Sequence, residues 1–178
     1  DLYYFMALTR KVDQEIVKFF RKGKAFGKHL SSIGNEATAV GATYALREED
    51  WPAPAIRDLG SFVTRKAPLV KIFGQVLGND VGFSKGWDGS LHMGDRNLRI
   101  PGLISHLGTM VSIASGCAFA EKYKNTNNIA LAFLGNGATS IGDVHETMNI
   151  ASVLELPLVI VIENNQWAFG TPNRIQYG

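Results

Sequence analysis

Two short polar segments follow apolar runs in the second half of the chain. Gly135-Asn136-Gly137 follows the run at 129–134, and Glu163-Asn164-Asn165 follows the run at 158–162. Asparagine carbonyl oxygens suit Mg²⁺, which prefers oxygen ligands and usually keeps water or phosphate oxygens as well. Glycine lets the backbone approach a phosphate, whose charge is favoured by the amino terminus of a following helix. The pattern favours a diphosphate held through a divalent cation.

A nicotinamide or flavin dinucleotide site is the alternative interpretation of the same glycines. Such a site has G-x-G-x-x-G opening a helix directly, with an acidic residue at the end of the next strand. Glu163 suits the acidic position, but Ser140 occupies the third glycine position and Gly142 comes two residues later. The dinucleotide interpretation is therefore the weaker of the two and stays open.

A β-α-β unit must position both polar segments. The apolar runs predict two buried strands, and residues 143–155 predict a helix that starts at Asp143, with Glu146 completing a capping box. Strands joined by such a crossover are parallel, and ligands bind beyond their carboxyl ends. We therefore predict an α/β fold in which both segments face one crevice, although 26 residues separate Gly137 from Asn164.

The rest of the chain is predicted to be mainly helical. Apolar side chains three to four residues apart predict a helix over 2–22, and further helices are predicted over 35–48, 67–78 and 109–123. Residues 51–60 are predicted to be irregular because Pro52 and Pro54 break a helix. The glycine-rich residues 82–95 are predicted to form a loop.

Composition limits the class of protein. The 178 residues, 46% of them hydrophobic, predict a single domain over 1–178. A net charge of +2 disfavours nucleic-acid binding, and no apolar run suits a membrane helix. The lone Cys117 excludes a disulfide framework and indicates a reducing compartment. Because the chain starts within a periodic segment and stops without a closing element, we expect a fragment truncated at both ends.

The spacing of the two segments resembles the thiamine diphosphate motif, in which Gly-Asp-Gly is followed at a similar distance by Asn-Asn. More narrowly, "GNGATSIGDVHETMNIASVLELPLVIVIENNQWAFGTP" is similar to the alpha subunit of the decarboxylating component of 2-oxo acid dehydrogenase complexes. "IGNEATAVGATYAL", "IRDLG", "SKGWDGSLHMGD" and "SHLGTMVSIASGCAFAEKYK" extend the resemblance over nearly the whole chain. It implies a thiamine diphosphate-binding fold, with a parallel sheet and flanking helices, preceded by an amino-terminal helical segment.

The resemblance also implies a role for each matching residue. Asn136 and Asn165 would bind Mg²⁺ through their side chains, and Trp167 through its backbone carbonyl. Arg57 would grip the diphosphate, and Leu107 would support the cofactor from below. The implied cofactor-binding residues are Arg57, Ser105, Leu107, Gly135, Asn136, Gly137, Ala138 and Asn165.

Asn136 is the main departure from the family pattern. The family has an acidic residue here, so the site loses a formal negative charge, and we expect weaker metal binding. Carbonyl coordination is still available to the amide. A non-catalytic paralogue with an assembly role therefore stays open as an alternative.

His29 and His106 are the catalytic candidates among the four histidines. The family often has an active-site histidine four residues before the glycine of the "GNEA" motif, whereas His29 lies five before Gly34, so its assignment needs a one-residue insertion. His106 lies in the predicted cofactor loop. His92 and His145 are expected to be structural.

The implied reaction is oxidative decarboxylation of a 2-oxo acid, with acyl transfer to the lipoyl-bearing acyltransferase of the complex. A separate beta subunit would complete the active site, so we expect this chain to be inactive alone. The substrate is of pyruvate, branched-chain or acetoin type, and "SHLGT" slightly favours the branched-chain type. No nucleic acid or membrane partner is expected, and the implied location is the bacterial cytoplasm, or the mitochondrial matrix in a eukaryote.

Overall fold

The computed structural model describes residues 1–25, 27–89 and 91–176. The chain divides into two compact units, Asp1–Glu48 with Ile56–Leu103 and Glu49–Ala55 with Ile104–Gly178. Each unit has its own hydrophobic core. Residues 49–55 add a strand to the sheet of the second unit. The single domain expected over 1–178 stays a prediction.

The first unit is helical. The apolar stripe of its first helix, α1 (Leu2–Arg21), places Val12 and Ile16 in a buried core with Phe62. The helix that contains Phe62 begins at Leu59, within the segment 51–60 predicted to be irregular. Gly60 lets this helix pack closely against α2 (Glu36–Tyr44), since a Cβ there would lie 2.9 Å from the Cβ of Ala39. The helices are α1 (Leu2–Arg21), α2 (Glu36–Tyr44), α3 (Leu59–Thr64) and α4 (Leu69–Val76).

The second unit contains a parallel sheet of three strands, in the order β1 (Trp51–Ala53), β2 (Ala130–Gly135) and β3 (Leu158–Glu163). The parallel pairing of β2 with β3 confirms the predicted β-α-β unit. The prediction that residues 51–60 are irregular is wrong at its start, because 51–53 form β1, where the edge position tolerates Pro52. The elements are β1 (Trp51–Ala53), α5 (Thr109–Tyr123), β2 (Ala130–Gly135), α6 (Gly142–Val153) and β3 (Leu158–Glu163).

The carboxylate of Glu121 on α5 anchors β1. It accepts hydrogen bonds from Trp51 Nε1 at 2.9 Å, Thr126 Oγ1 at 2.7 Å and Asn128 Nδ2 at 2.9 Å. The hydrogen bond from Trp51 is the largest cause that lowers the pKa of Glu121 to about 2, against the opposing effect of burial. The residue is only 2% exposed, so this ionised group holds the edge strand from within the unit.

The glycine-rich segment predicted as a loop over 82–95 is irregular up to a short bridge at Asp95, with Ser90 outside the described residues. Gln75 of α4 is fully buried and organises the segment. Its Oε1 accepts from Ser84 N at 2.9 Å, and its Nε2 donates to the Asp88 carbonyl at 2.9 Å. His92 Nδ1 lies 3.0 Å from Asp88 Oδ1 within the same segment.

No helix in the described parts of the chain is long and apolar enough to cross a membrane.

Candidate functional site

The two polar segments lie at the same edge of the sheet. Gly135, the last residue of β2, is in register with Glu163, the last residue of β3. A 3₁₀ helix, Asn136–Ser140, follows Gly135 before α6 begins. The hairpin of β4 (Trp167–Ala168) and β5 (Thr171–Pro172) follows Glu163, and a 3₁₀ turn, Asn173–Ile175, comes next. The prediction that both segments share one edge is confirmed.

A chain of side-chain amides joins the two loops. Asn136 is only 3% exposed, and its Nδ2 donates to Asn173 Oδ1 at 2.9 Å. Asn173 Nδ2 in turn donates to Asn164 Oδ1 at 3.2 Å. Gln176 Nε2 donates to the Asn136 backbone carbonyl at 3.2 Å. Asn136 is thus held by hydrogen bonds with Asn173 and Gln176, which follow the second loop in the chain.

The two glycines of "GNG" have different surroundings. A Cβ on Gly137 would lie 2.7 Å from the Cβ of Ala168, so this glycine lets the 3₁₀ helix pack against β4. Among the described residues, no atom outside the two adjoining ones lies within 4 Å of the position a Cβ on Gly135 would take. The space that a ligand group can enter therefore lies beside Gly135. Gly137 instead allows the close contact between the two loops.

Asn165 and Trp167 form a tight turn after β3. Asn165 is exposed, and its Oδ1 accepts from the Trp167 backbone N–H at 3.0 Å. Asn173 N donates to the Gln166 carbonyl, so Trp167 and Pro172 are a pair whose backbone groups do not bond to each other. The Trp167 carbonyl consequently points away from β5, as a ligand role for this carbonyl requires.

The segment 105–108 leads into α5 and packs beside the start of α6. Gly108 has φ +86°, and a Cβ there would lie 2.9 Å from Val144 Cγ2. Thr109 Oγ1 donates to Asp143 Oδ2 at 3.4 Å. The side chain of Leu107 is 62% exposed, and Ser105 and His106 are exposed as well. An apolar side chain presented to solvent in this segment suits contact with a bound ring.

The predicted capping box of α6 is wrong. The helix begins at Gly142, one residue earlier than predicted, and its N-cap is Ile141, with no side-chain cap. Asp143 meets Thr109 of α5 instead, because the packing of α5 against α6 brings the two side chains together.

Arg57 and His29 belong to the first unit. Arg57 is exposed, and it precedes the buried Asp58, which accepts from Asn35 Nδ2 at 3.0 Å. This hydrogen bond ties the turn that carries Arg57 to the residue before α2. The role of Arg57 toward a diphosphate stays a prediction.

His29 has a buried acidic partner. Its Nε2 lies 2.9 Å from Asp13 Oδ1, its ring stacks on Phe20, and its side chain is 4% exposed. Burial alone would raise the pKa of Asp13, but hydrogen bonds from His29, Ser31 and the Ser32 backbone N–H lower it below its usual value. These contacts give His29 a structural role, and its catalytic role stays a prediction.

The ligands predicted at the sheet edge, Asn136, Asn165 and the Trp167 carbonyl, are neutral groups. The described residues contain no group of three or more His, Cys, Asp or Glu that could hold a metal ion. The predicted ligands are amide and backbone carbonyl oxygens, which suit a hard cation already carrying phosphate oxygens. With the open space beside Gly135 and the exposed Leu107, these residues fit a magnesium diphosphate, though with less charge than a carboxylate supplies.

Asn173 and Gln176 are the residues of this site that sequence reasoning missed. Both lie about forty residues from Asn136, and neither forms part of a motif. Their only signal is that they are polar residues just after the second loop.

Comparison with known proteins identifies the class. The chain matches the dehydrogenase E1 component family over residues 3–178, and it belongs to that family. It is 33% identical to pyruvate dehydrogenase E1 component subunit alpha of Rhizobium meliloti over 169 residues, 95% of this chain and 49% of the relative. It is 36% identical to 3-methyl-2-oxobutanoate dehydrogenase subunit alpha of Mycobacterium tuberculosis over 174 residues, 96% of this chain and 44% of the relative.

A eukaryotic relative shows the same partial coverage. The chain is 30% identical to the mitochondrial 2-oxoisovalerate dehydrogenase subunit alpha of Dictyostelium discoideum, over 98% of this chain and 40% of the relative. The chain therefore spans about half the length, or less, of these curated relatives. The resemblance found in the sequence motifs is confirmed by both comparisons.

Proposed function

We propose that this chain is the diphosphate-binding part of the alpha subunit of a thiamine diphosphate-dependent 2-oxo acid dehydrogenase component. One observation carries the proposal: the glycine segment after β2 and the asparagine segment after β3 lie at one sheet edge, joined by Asn136, Asn173 and Asn164. Family membership supports the same conclusion. The thiamine diphosphate-binding fold is part of this proposal.

Each predicted site residue of the second unit has a defined role in the proposed site. Asn136, Asn165 and the Trp167 carbonyl hold Mg²⁺, and the space beside Gly135 receives the diphosphate. Ala138 is buried in the second core, so only its backbone is offered to the ligand. When bound, thiamine diphosphate supplies the electron sink that lets a 2-oxo acid lose carbon dioxide.

The loop before α5 and the exposed arginine complete the proposed set. Leu107 and Ser105 contact the cofactor's ring system, and His106 faces the substrate. Arg57 supplies a permanently charged, planar group for the diphosphate.

The proposed substrate is a small 2-oxo acid. The relatives named above are dehydrogenases of pyruvate, 3-methyl-2-oxobutanoate and 2-oxoisovalerate. We include acyl transfer to a lipoyl-bearing acyltransferase in the proposal. We also include assembly with a beta subunit, which would supply the remaining catalytic groups. The relatives' designation as alpha subunits supports a heteromeric assembly.

The dinucleotide alternative fits the structure less well. A dinucleotide site places the phosphate at a helix that opens directly from the glycine turn. Here a 3₁₀ helix and Ile141 lie between Gly135 and the first residue of α6. The third position, Ser140, belongs to that 3₁₀ helix.

Isothermal titration of the protein, assembled with its beta subunit, tests the proposal. We expect saturable binding of thiamine diphosphate that requires Mg²⁺ and disappears with EDTA. Absence of magnesium-dependent binding would overturn the proposal. Enhanced NADH fluorescence on mixing with the same assembly would support the dinucleotide alternative. Binding without decarboxylation of any 2-oxo acid would support the non-catalytic paralogue.

A further inference from the structure

We propose that Asn173 is a positioning residue that orients the side-chain amide of Asn136, so that its oxygen Oδ1 is presented to the cofactor's magnesium ion. This inference rests on the proposed function and concerns the same site. It starts from a chemical difference between the two side chains that can occupy position 136. A carboxylate has two equivalent oxygens, whereas an amide has one oxygen and one NH₂ group. An amide that turns the wrong way offers the cation a donor group and no ligand.

The structure supplies the group that selects one orientation. Asn136 Nδ2 donates to Asn173 Oδ1 at 2.9 Å, with a second, longer contact to Gln176 Oε1 at 3.4 Å. With Nδ2 directed at these two acceptors, the carbonyl oxygen occupies the opposite arm of the amide. Asn136 is nearly fully buried, so a reversed amide would leave its NH₂ group away from these acceptors, at the cost of an unmade buried hydrogen bond.

Asn173 is itself held in one orientation. Its Nδ2 donates to Asn164 Oδ1 at 3.2 Å, which leaves its Oδ1 for Asn136. Its backbone N–H donates to the Gln166 carbonyl at 2.9 Å, and this bond fixes the residue at the end of the β4–β5 hairpin. Asn164 Oδ1 also accepts from Gln166 N at 3.0 Å. The orientation of the Asn136 amide is thus set from the loop that carries the second predicted ligand, Asn165.

Such outer partners of metal ligands have measurable effects. Removal of a residue that orients a ligand typically weakens metal binding 10- to 100-fold. Asn173 has no role of this kind if position 136 carries a carboxylate, because either oxygen then serves as a ligand. The neutral residue at position 136 is what makes an orienting acceptor necessary.

A double-mutant cycle tests the inference, with the protein assembled with its beta subunit. We expect Asn173→Ala to raise the dissociation constant for thiamine diphosphate with Mg²⁺ at least about tenfold in isothermal titration. In the N136D background, the same substitution should change it less than about threefold. Asn173→Asp keeps an acceptor for Asn136 Nδ2 but loses the hydrogen bond to Asn164 Oδ1, so it should weaken binding less than Asn173→Ala does. The matched control is Asn149→Ala on the exposed face of α6, which should leave binding unchanged.

Thermal unfolding of each variant shows that the assembly is folded, so a loss of binding is not a loss of structure. Equal losses from Asn173→Ala in both backgrounds would show that Asn173 supports the loop and does not orient the amide, which overturns the inference. Unchanged binding in Asn173→Ala overturns it as well, while the proposed function stands. A wild-type assembly that binds no cofactor overturns the proposed function, and this inference with it.

Discussion

Gly137 lies so close to Ala168 that no residue with a Cβ fits at position 137 without moving one of the two loops. A Cβ on Gly137 would lie 2.7 Å from the Cβ of Ala168 and 3.3 Å from its Cα. The first of these atoms belongs to a rigid methyl group on β4 and the second to its backbone, so neither can swing aside. The second glycine of the motif therefore sets the distance between the loop after β2 and the hairpin after β3.

The substitution Gly137→Ala should separate these two loops. We expect it to lower the free energy of unfolding by about 1–3 kcal/mol, the usual cost of inserting a methyl group into a packed contact. Magnesium-dependent binding of thiamine diphosphate should be lost with it. Urea unfolding and isothermal titration measure the two effects.

Gly135→Ala is the matched control for this substitution. Gly135 has φ −74° and open space where a Cβ would lie, so stability should change by less than about 0.5 kcal/mol. Cofactor binding should nevertheless weaken, because the methyl group occupies the space assigned to the diphosphate. Full affinity in Gly135→Ala would place the diphosphate elsewhere.

Leu107→Ala should weaken cofactor binding without affecting folding. The side chain is 62% exposed, so its truncation removes little packing within the unit. If the side chain is covered by the cofactor, its loss should cost about 1.5 kcal/mol, or roughly tenfold in affinity. Val153→Ala, an aliphatic side chain on α6 that is also well exposed, is the control for a general effect. Equal affinities of wild type and Leu107→Ala would remove this residue from the site.

Glu121 should make the second unit sensitive to acid. Its pKa is lowered from 4.5 to about 2 in the folded state, so its contribution to stability is present above pH 4.5 and lost as the pH falls toward 2. The shift corresponds to about 3 kcal/mol, more than half of which is lost by pH 3. Glu121→Gln should therefore lower the free energy of unfolding at pH 7, and the difference from wild type should shrink at pH 3.

Urea titrations at both pH values, followed by tryptophan fluorescence, measure this effect. Glu155→Gln is the control, because that side chain is 88% exposed and the same change should have little effect at either pH. A difference between wild type and Glu121→Gln that does not depend on pH would contradict the assignment.

The two candidate histidines should respond differently to substitution. His29→Ala removes a partner of the fully buried Asp13 and should lower the free energy of unfolding by about 2 kcal/mol. His106→Ala changes an exposed side chain and should leave stability unchanged. Thermal unfolding separates these effects from turnover of a 2-oxo acid by the assembled enzyme. A loss of turnover confined to His106→Ala would support its substrate-facing role.

The β-α-β unit follows from local patterns that the structure confirms. Two apolar runs and a helical segment between them predict β2, α6 and β3, and the crossover makes the strands parallel. The shared edge of Gly135 and Glu163 follows from that connectivity alone. Helix α5, predicted as a helix rich in small residues over about 109–123, has the bounds Thr109–Tyr123 in the structure.

Other elements depend on contacts that no local pattern indicates. Pro52 argues against regular structure, yet β1 forms because it pairs with β2 and because Trp51 reaches Glu121, seventy residues away in the chain. The capping box at Asp143 has the right spacing, but packing of α5 against α6 draws this carboxylate to Thr109. In each case a tertiary partner prevails over the local preference.

The sequence by itself determined the family, the parallel unit and the two loops that carry the candidate ligands, because these follow from residue type, period and spacing along the chain. The tertiary structure alone decided the division into two units, the close contact of Gly137 with Ala168 and the link from Asn136 to Asn173. These relationships join residues far apart in the chain. They exist only where folding brings backbones within van der Waals distance and amides within hydrogen-bonding distance, which a one-dimensional pattern does not encode.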